Sequence, residues 1–128
     1  MKKSTENWLE IAEYDLKVAS YNFKGEYYVK VIENCHSSLE KLLKALISEN
    51  KNIQPPKIHD LLRLVTISLV DNLDADITNL LDELNDLYIS TRYPEDFGRL
   101  SEMLNKEKVE IILNKTKEIF KWLKKKIT

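Results

Sequence analysis

Glycine and proline are scarce, with 2 Gly and 3 Pro in 128 residues. A β-sandwich or barrel needs a turn every few residues, and turns draw on those two residue types. All-β architectures are therefore excluded, and collagen-like, low-complexity and repeat arrays go with them. Cysteine occurs once, at Cys35, which rules out an intramolecular disulfide and a cysteine-based zinc site. Histidine occurs twice, at His36 and His59, and the HExxH, DxDxDG and paired-His spacings are missing, so no metal is expected. Gly25 and Gly98 lie far apart, leaving no glycine-rich loop to cradle a phosphate, and no cofactor is implied. No apolar run approaches the ~18 residues of a membrane span, and Met1 to Glu10 is too polar for a signal peptide. The expectation is a cytoplasmic protein. The net charge of −1 removes the simplest argument for nucleic acid, a strongly basic domain.

What is present is 43% hydrophobic and 32% charged residues, the composition of a globular chain rather than a disordered one. The length suits a single domain over residues 1–128. Area scaling buries about two thirds of the surface of such a chain, so a core forms without staples.

The hydrophobic periodicity predicts helices and no strand. The first runs from about Thr5 to Phe23, with Trp8, Ile11, Ala12, Leu16, Ala19 and Phe23 at helical spacing. Ser4 or Thr5 is its expected cap, and Gly25 is expected to end it in the left-handed conformation. The second runs from about Tyr27 to Glu49, with Glu26–Lys30 and Glu40–Lys44 as i, i+4 pairs. A loop follows around Pro55 and Pro56. A third helix starts near His59 or Asp60, with Leu61, Leu64, Val65, Ser68 and Leu69 inward. A fourth spans Ala75 to about Ile89, and Thr91 to Gly98 reads as a loop rigidified by Pro94. The last runs from about Lys106 to Ile127, capped by Asn105. The fold class is thus all-α, an up-and-down bundle of four to five helices with a long N-terminal helical hairpin.

Charge is unevenly distributed. No Lys or Arg lies between Leu64 and Thr91, where Asp71, Asp74, Asp76, Asp82, Glu83 and Asp86 occur, whereas the last helix carries Lys115, Lys117, Lys121, Lys124, Lys125 and Lys126. Opposed faces of this kind either order a dimer, bind a polyanion weakly, or are simply solvated. Trp8, Tyr14, Tyr21, Tyr27 and Tyr28 exceed what one stripe buries, which points to a homodimer interface or to cover for the hairpin's own loop.

Three polar clusters carry possible chemistry. His36 and Glu40 lie one helical turn apart, followed by Lys41; they could hydrogen-bond and present an imidazole to a ligand, or form a satisfied buried pair. His59 and Asp60 follow the proline loop, where they either line a site or start a helix. Arg92 and Tyr93 precede Pro94: Arg offers bidentate donors to phosphate or carboxylate, and Tyr93 or Tyr88 offers a stacking face. Arg92 could instead tie its loop to the acidic fourth helix. Cys35 sits among apolar residues and reads as a small hydrophobe rather than a nucleophile, because His36 next to it points about 100° away.

In order along the chain, Trp8-Leu9, Ala12-x-x-Asp15-Leu16-x-x-Ala19, Tyr27-Tyr28, the run Cys35-His36-Ser37-Ser38-Leu39-Glu40-Lys41-Leu42-Leu43-Lys44-Ala45-Leu46, His59-Asp60-Leu61 and Tyr88-x-x-Thr91-Arg92-Tyr93-Pro94 resemble the HEPN domain family. The likeness covers nearly the whole chain. It implies a helical bundle, commonly a homodimer, partnered by a minimal nucleotidyltransferase protein in a toxin–antitoxin-type pair. Toxic members are metal-independent ribonucleases whose signature is Arg, four to six residues, then His. This chain departs from that signature: none of Arg63, Arg92 and Arg99 is followed by a histidine at that distance. Some members are silenced by nucleotide transfer onto a tyrosine, and by analogy Tyr93 or Tyr88 would be the acceptor.

Two functional readings follow, with a purely structural assembly protein as a third. One is a dimeric module that binds nucleotide or polynucleotide through Arg92, Tyr93, Tyr88, His59, Asp60, His36, Glu40 and Lys41 and docks a nucleotidyltransferase. The other is a ribonuclease in which Arg92 acts with His59 or His36.

Overall fold

The computed structural model describes residues 1–127. It contains six helices: α1 (Lys3–Lys24), α2 (Tyr28–Lys51), α3 (Leu61–Ser68), α4 (Ala75–Thr91), α5 (Pro94–Met103) and α6 (Lys106–Lys124). Among the described residues there is no strand, and no helix is long and apolar enough to cross a membrane.

The antiparallel α1–α2 hairpin forms one side of the bundle, and α2 runs through its middle, touching each of the other five helices. That position explains why Val31, Ile32, Cys35, Leu39, Leu42, Leu43, Ala45, Leu46 and Ile47 are all buried, a wider apolar face than a surface helix shows. Leu61, Leu64, Leu81, Leu84, Leu100, Val109 and Ile112 close the core from the other helices.

The ends of α1 differ from expectation. The helix begins at Lys3 with no side-chain cap. Ser4 and Thr5 already lie inside it and reach across the hairpin: the Ser4 hydroxyl pairs with that of Ser48, and Thr5 Oγ1 donates to Glu49 Oε1 at 2.9 Å. These bonds stitch the start of α1 to the end of α2. At the turn, Gly25 has φ −81° and Glu26 takes the left-handed conformation, φ 65°. Glu26 is therefore outside α2, and Lys30 pairs with Glu33 at 3.0 Å instead.

Asp60 caps α3, accepting from the Leu62 and Arg63 amides at 3.1 and 3.3 Å, and Asp74 caps α4 through the Ile77 amide at 2.9 Å. Leu69, expected inward, is 69% exposed because it forms the left-handed C-cap of α3, φ 60°. The expected rigid loop at 91–98 is largely helix. Pro94 occupies the first turn of α5, with Tyr93 extended before it and Glu95 and Asp96 in the first turn. Proline lacks only an amide that has no partner there anyway, so it starts a helix as readily as it ends one. Asn105 caps α6 through the Lys108 amide at 2.9 Å, and α6 ends at Lys124 rather than Ile127. Of the surplus aromatics, Trp8 and Tyr28 pack against the core, whereas Tyr14, Tyr21 and Tyr27 are exposed together with Ile11.

Candidate functional site

His36, Glu40 and Lys44 recur every fourth residue on α2 and so share one stripe. That stripe meets the loop before α3 and the α4 face carrying Asp82, Asn85 and Ile89, with Arg92 at the C-cap of α4. The result is a cleft of about 430 Å³ lined by His36, His59, Asp60, Leu62, Asp82, Asn85, Asp86, Tyr88, Ile89 and Arg92.

Glu40 is the centre of the arrangement. It is 2% exposed, and both oxygens are used. Oε1 lies 3.0 Å from His59 Nδ1; Oε2 accepts from Lys41 Nζ at 2.9 Å and from Lys44 Nζ at 3.1 Å. Burial alone would raise its pKa, but the hydrogen bonds and charge of Lys41, His59 and Lys44 outweigh that and hold the carboxyl below its ordinary range. The expected i, i+4 pair with Lys44 is present. The expected hydrogen bond with His36 is not, since His36 Nδ1 lies 3.8 Å from Oε1, beyond hydrogen-bond reach.

His36 is instead part of a wall. It is 1% exposed and stacks on Tyr88, with centroids 3.9 Å apart and planes 4° from parallel. Burial pushes its pKa down to about 4, so the imidazole is neutral at pH 7. Neither ring nitrogen completes a hydrogen bond among the described residues, although the Asn85 side chain and the His59 backbone approach closely enough to favour the proton. His36 thus lines the cleft without presenting a charge to it.

Tyr88 is also committed. One face is covered by His36, and its hydroxyl accepts from Arg92 Nη1 at 2.8 Å, with the guanidinium carbon 5.6 Å from the ring centroid. It is not the open stacking platform expected from its position. Tyr93 is half exposed but does not line the cleft, because the extended backbone before Pro94 takes it away with α5. Lys41 does not line the cleft either; it neutralises Glu40 from the rim. Asp60 lines it but is mainly structural, capping α3 and accepting from Asn85 Nδ2 at 2.9 Å.

The groups left to meet a ligand are His59, 58% exposed, and the exposed Arg92, whose one side-chain acceptor is the Tyr88 hydroxyl. Asp82 and Asp86 line the same cleft and have no partner among the described residues. Sequence reasoning missed Asn85, Asp82 and Asp86. Their signal was the spacing Asp82, Asn85, Ile89 along one face of α4, with Arg92 at its C-cap. Asn85 fixes the cleft, since its Oδ1 accepts from the Leu61 amide at 3.0 Å while its Nδ2 holds Asp60, locking α3 to α4.

Cys35 is fully buried, and burial raises its thiol to about 11 despite Thr116 and Lys117. It is inert, as its apolar neighbours suggested. Among the described residues, no cluster of three His, Cys, Asp or Glu side chains could hold a metal.

Residues 5–127 match the HEPN domain family, and the chain belongs to it. The fold is similar to the crystal structure of an archaeal HEPN homologue, 27% identical, with TM-score 0.77 and full coverage of both chains. No curated protein matches the sequence.

Proposed function

We propose that this HEPN protein is a cytoplasmic nucleotide-binding interaction module, a homodimer that partners a minimal nucleotidyltransferase in a toxin–antitoxin-type pair. The observation that carries the reading is the meeting of Arg92 and His59 in one cleft from distant parts of the chain. Arg92 spends one N–H on Tyr88 and keeps the rest of its planar donor set for a phosphate. Asp82 and Asp86 supply acceptors for ribose hydroxyls or an exocyclic amine. With Asp60 they make three carboxylates against one Arg and one His, a balance that suits a mononucleotide or a strand end better than a continuous polyanion. The exposed Ile11, Tyr14 and Tyr21 on α1 offer the dimer its apolar surface.

Calorimetric titration with nucleoside monophosphates tests the cleft. Saturable binding is expected, weakened about tenfold or more in Arg92→Ala, the worth of one charge-assisted phosphate contact. No saturable binding in either protein sinks the reading. Stoichiometric recovery of a small nucleotidyltransferase with the tagged chain tests the partnership separately.

A second reading is favoured by one contact. Glu40, buried, holds His59 Nδ1 at 3.0 Å and leaves Nε2 to accept a proton. A carboxylate-oriented imidazole beside an arginine is what metal-independent RNA cleavage needs: a base for the 2′-OH and a cation for the phosphorane. Cleavage in EDTA, abolished separately by His59→Ala and Arg92→Ala, is then expected; cleavage that persists in both variants, or needs magnesium, removes this reading.

A further inference from the structure

On the other side of Glu40 lies a second cavity, of about 520 Å³, between the start of α1, the end of α2 and the proline loop. Its lining includes Lys2, Lys44 and Lys57, and no carboxylate. Lys57 is exposed and has no partner among the described residues. Lys2 Nζ is held at the rim by the neutral Ser48 carbonyl at 2.9 Å and Asn52 Oδ1 at 3.4 Å, while the Glu49 carboxylate, which does not line the cavity, accepts from the Lys2 backbone amide at 3.1 Å and partly offsets its charge. Lys44 is 5% exposed. Its ammonium sits between Glu40 and the Trp8 ring, 5.5 Å from the ring centroid, a cation–π distance. Pro55 and Pro56 form a stiff apolar part of the lining.

A concave site lined by one sign of charge concentrates counter-ions of the other, and lysine binds phosphate as a point charge. The volume lies in the range of small-molecule sites and exceeds what a bare anion fills. Trp8 and the two prolines supply a flat apolar surface for an organic body. From this we infer that the lysine cavity is a binding site for a small phosphorylated molecule, separate from the Arg92 cleft. Lys57 and Lys2 hold the phosphate, and Trp8 packs against the remainder. The two sites share Glu40: its Oε2 faces Lys44 of the lysine cavity, and its Oε1 faces His59 of the cleft.

Trp8 is the natural reporter, and Trp122→Phe removes the other tryptophan. In that background, titration with inorganic pyrophosphate is expected to change Trp8 fluorescence saturably. Lys57→Glu, a surface change that should leave folding intact, is expected to weaken the response at least tenfold, while Arg92→Ala leaves it unaltered. Adenosine monophosphate should compete with pyrophosphate in the Arg92→Ala protein. A response matched by sodium chloride of equal ionic strength, or retained in Lys57→Glu, overturns the site. Loss of the response in Arg92→Ala with retention in Lys57→Glu assigns the anion to the cleft and overturns it as well.

Discussion

The two cavities that meet at Glu40 are of similar size and share a neighbour, yet they have opposite electrostatic character. The cleft at His59 and Arg92 is lined by carboxylates from the α3 N-cap and from α4, while no carboxylate lines the cavity at Lys57 and Trp8. A chain of net charge −1 thus carries a locally basic site and a locally mixed one, and the total charge describes neither. A ligand suited to the mixed cleft would both accept and donate hydrogen bonds. One suited to the basic cavity would be matched by negative charge first and shape second.

The sharpest way to break the comparison is to remove what the cavities share. Glu40→Ala leaves the Lys44 ammonium buried and unpaired, which should cost about 3–5 kcal/mol. That is a large part of the 5–15 kcal/mol typical of a domain, and urea denaturation measures it. Glu40→Gln, which keeps hydrogen-bonding atoms in place, should cost less.

Next in size is the pH dependence of the cleft's wall. His36 is held at about 4 in the fold against an ordinary 6.5, so the unfolded chain takes up a proton at higher pH than the folded one. Its contribution is complete above about pH 6.5 and lost as pH falls toward 4, in total about 3 kcal/mol. Denaturation midpoints at pH 7 and pH 4.5 should therefore converge in His36→Phe, which keeps a ring against Tyr88 but cannot titrate. The Glu40 carboxyl, also depressed, adds loss in the same direction at lower pH.

The smallest effect belongs to Lys41→Ala. Lys41 is the most exposed of the two lysines on Glu40, and Lys44 and His59 still satisfy the carboxylate when it is gone. A cost of about 1 kcal/mol or less is expected. A loss as large as that of Glu40→Ala would show that the buried carboxylate depends on its rim and not on Lys44.

The bundle was legible because helical periodicity is local: α1, α2, α4 and α6 follow from apolar residues spaced three and four apart. The caps at Asp60 and Asn105 were equally legible. α5 was not, because proline and glycine inside eight residues read as a loop until Pro94 is seen in the first turn of a helix. Partners across helices were harder still. Periodicity pairs Glu40 with His36 on its own helix, whereas the fold pairs it with His59, and nothing local distinguishes the two. Eight site residues were named from sequence: His36, Glu40, Lys41, His59, Asp60, Tyr88, Arg92 and Tyr93, of which His36, His59, Asp60, Tyr88 and Arg92 line the cleft and Glu40 and Lys41 stand behind His59. The fold gathers them around one centre but leaves Tyr93 outside and turns Tyr88 and His36 into wall. The lysine cavity had no signature at all, since Lys2, Lys44 and Lys57 are three ordinary surface-type residues until α1, α2 and the proline loop converge.

Cys35 has a practical meaning beyond packing. It is the chain's sole thiol, fully covered at the seam between α2 and α6. A thiol-specific reagent can reach it only when α6 lifts from α2, so the rate of labelling is a clock for opening of the bundle. It can be read in the unmodified protein, without an added probe, while either cavity is filled or empty.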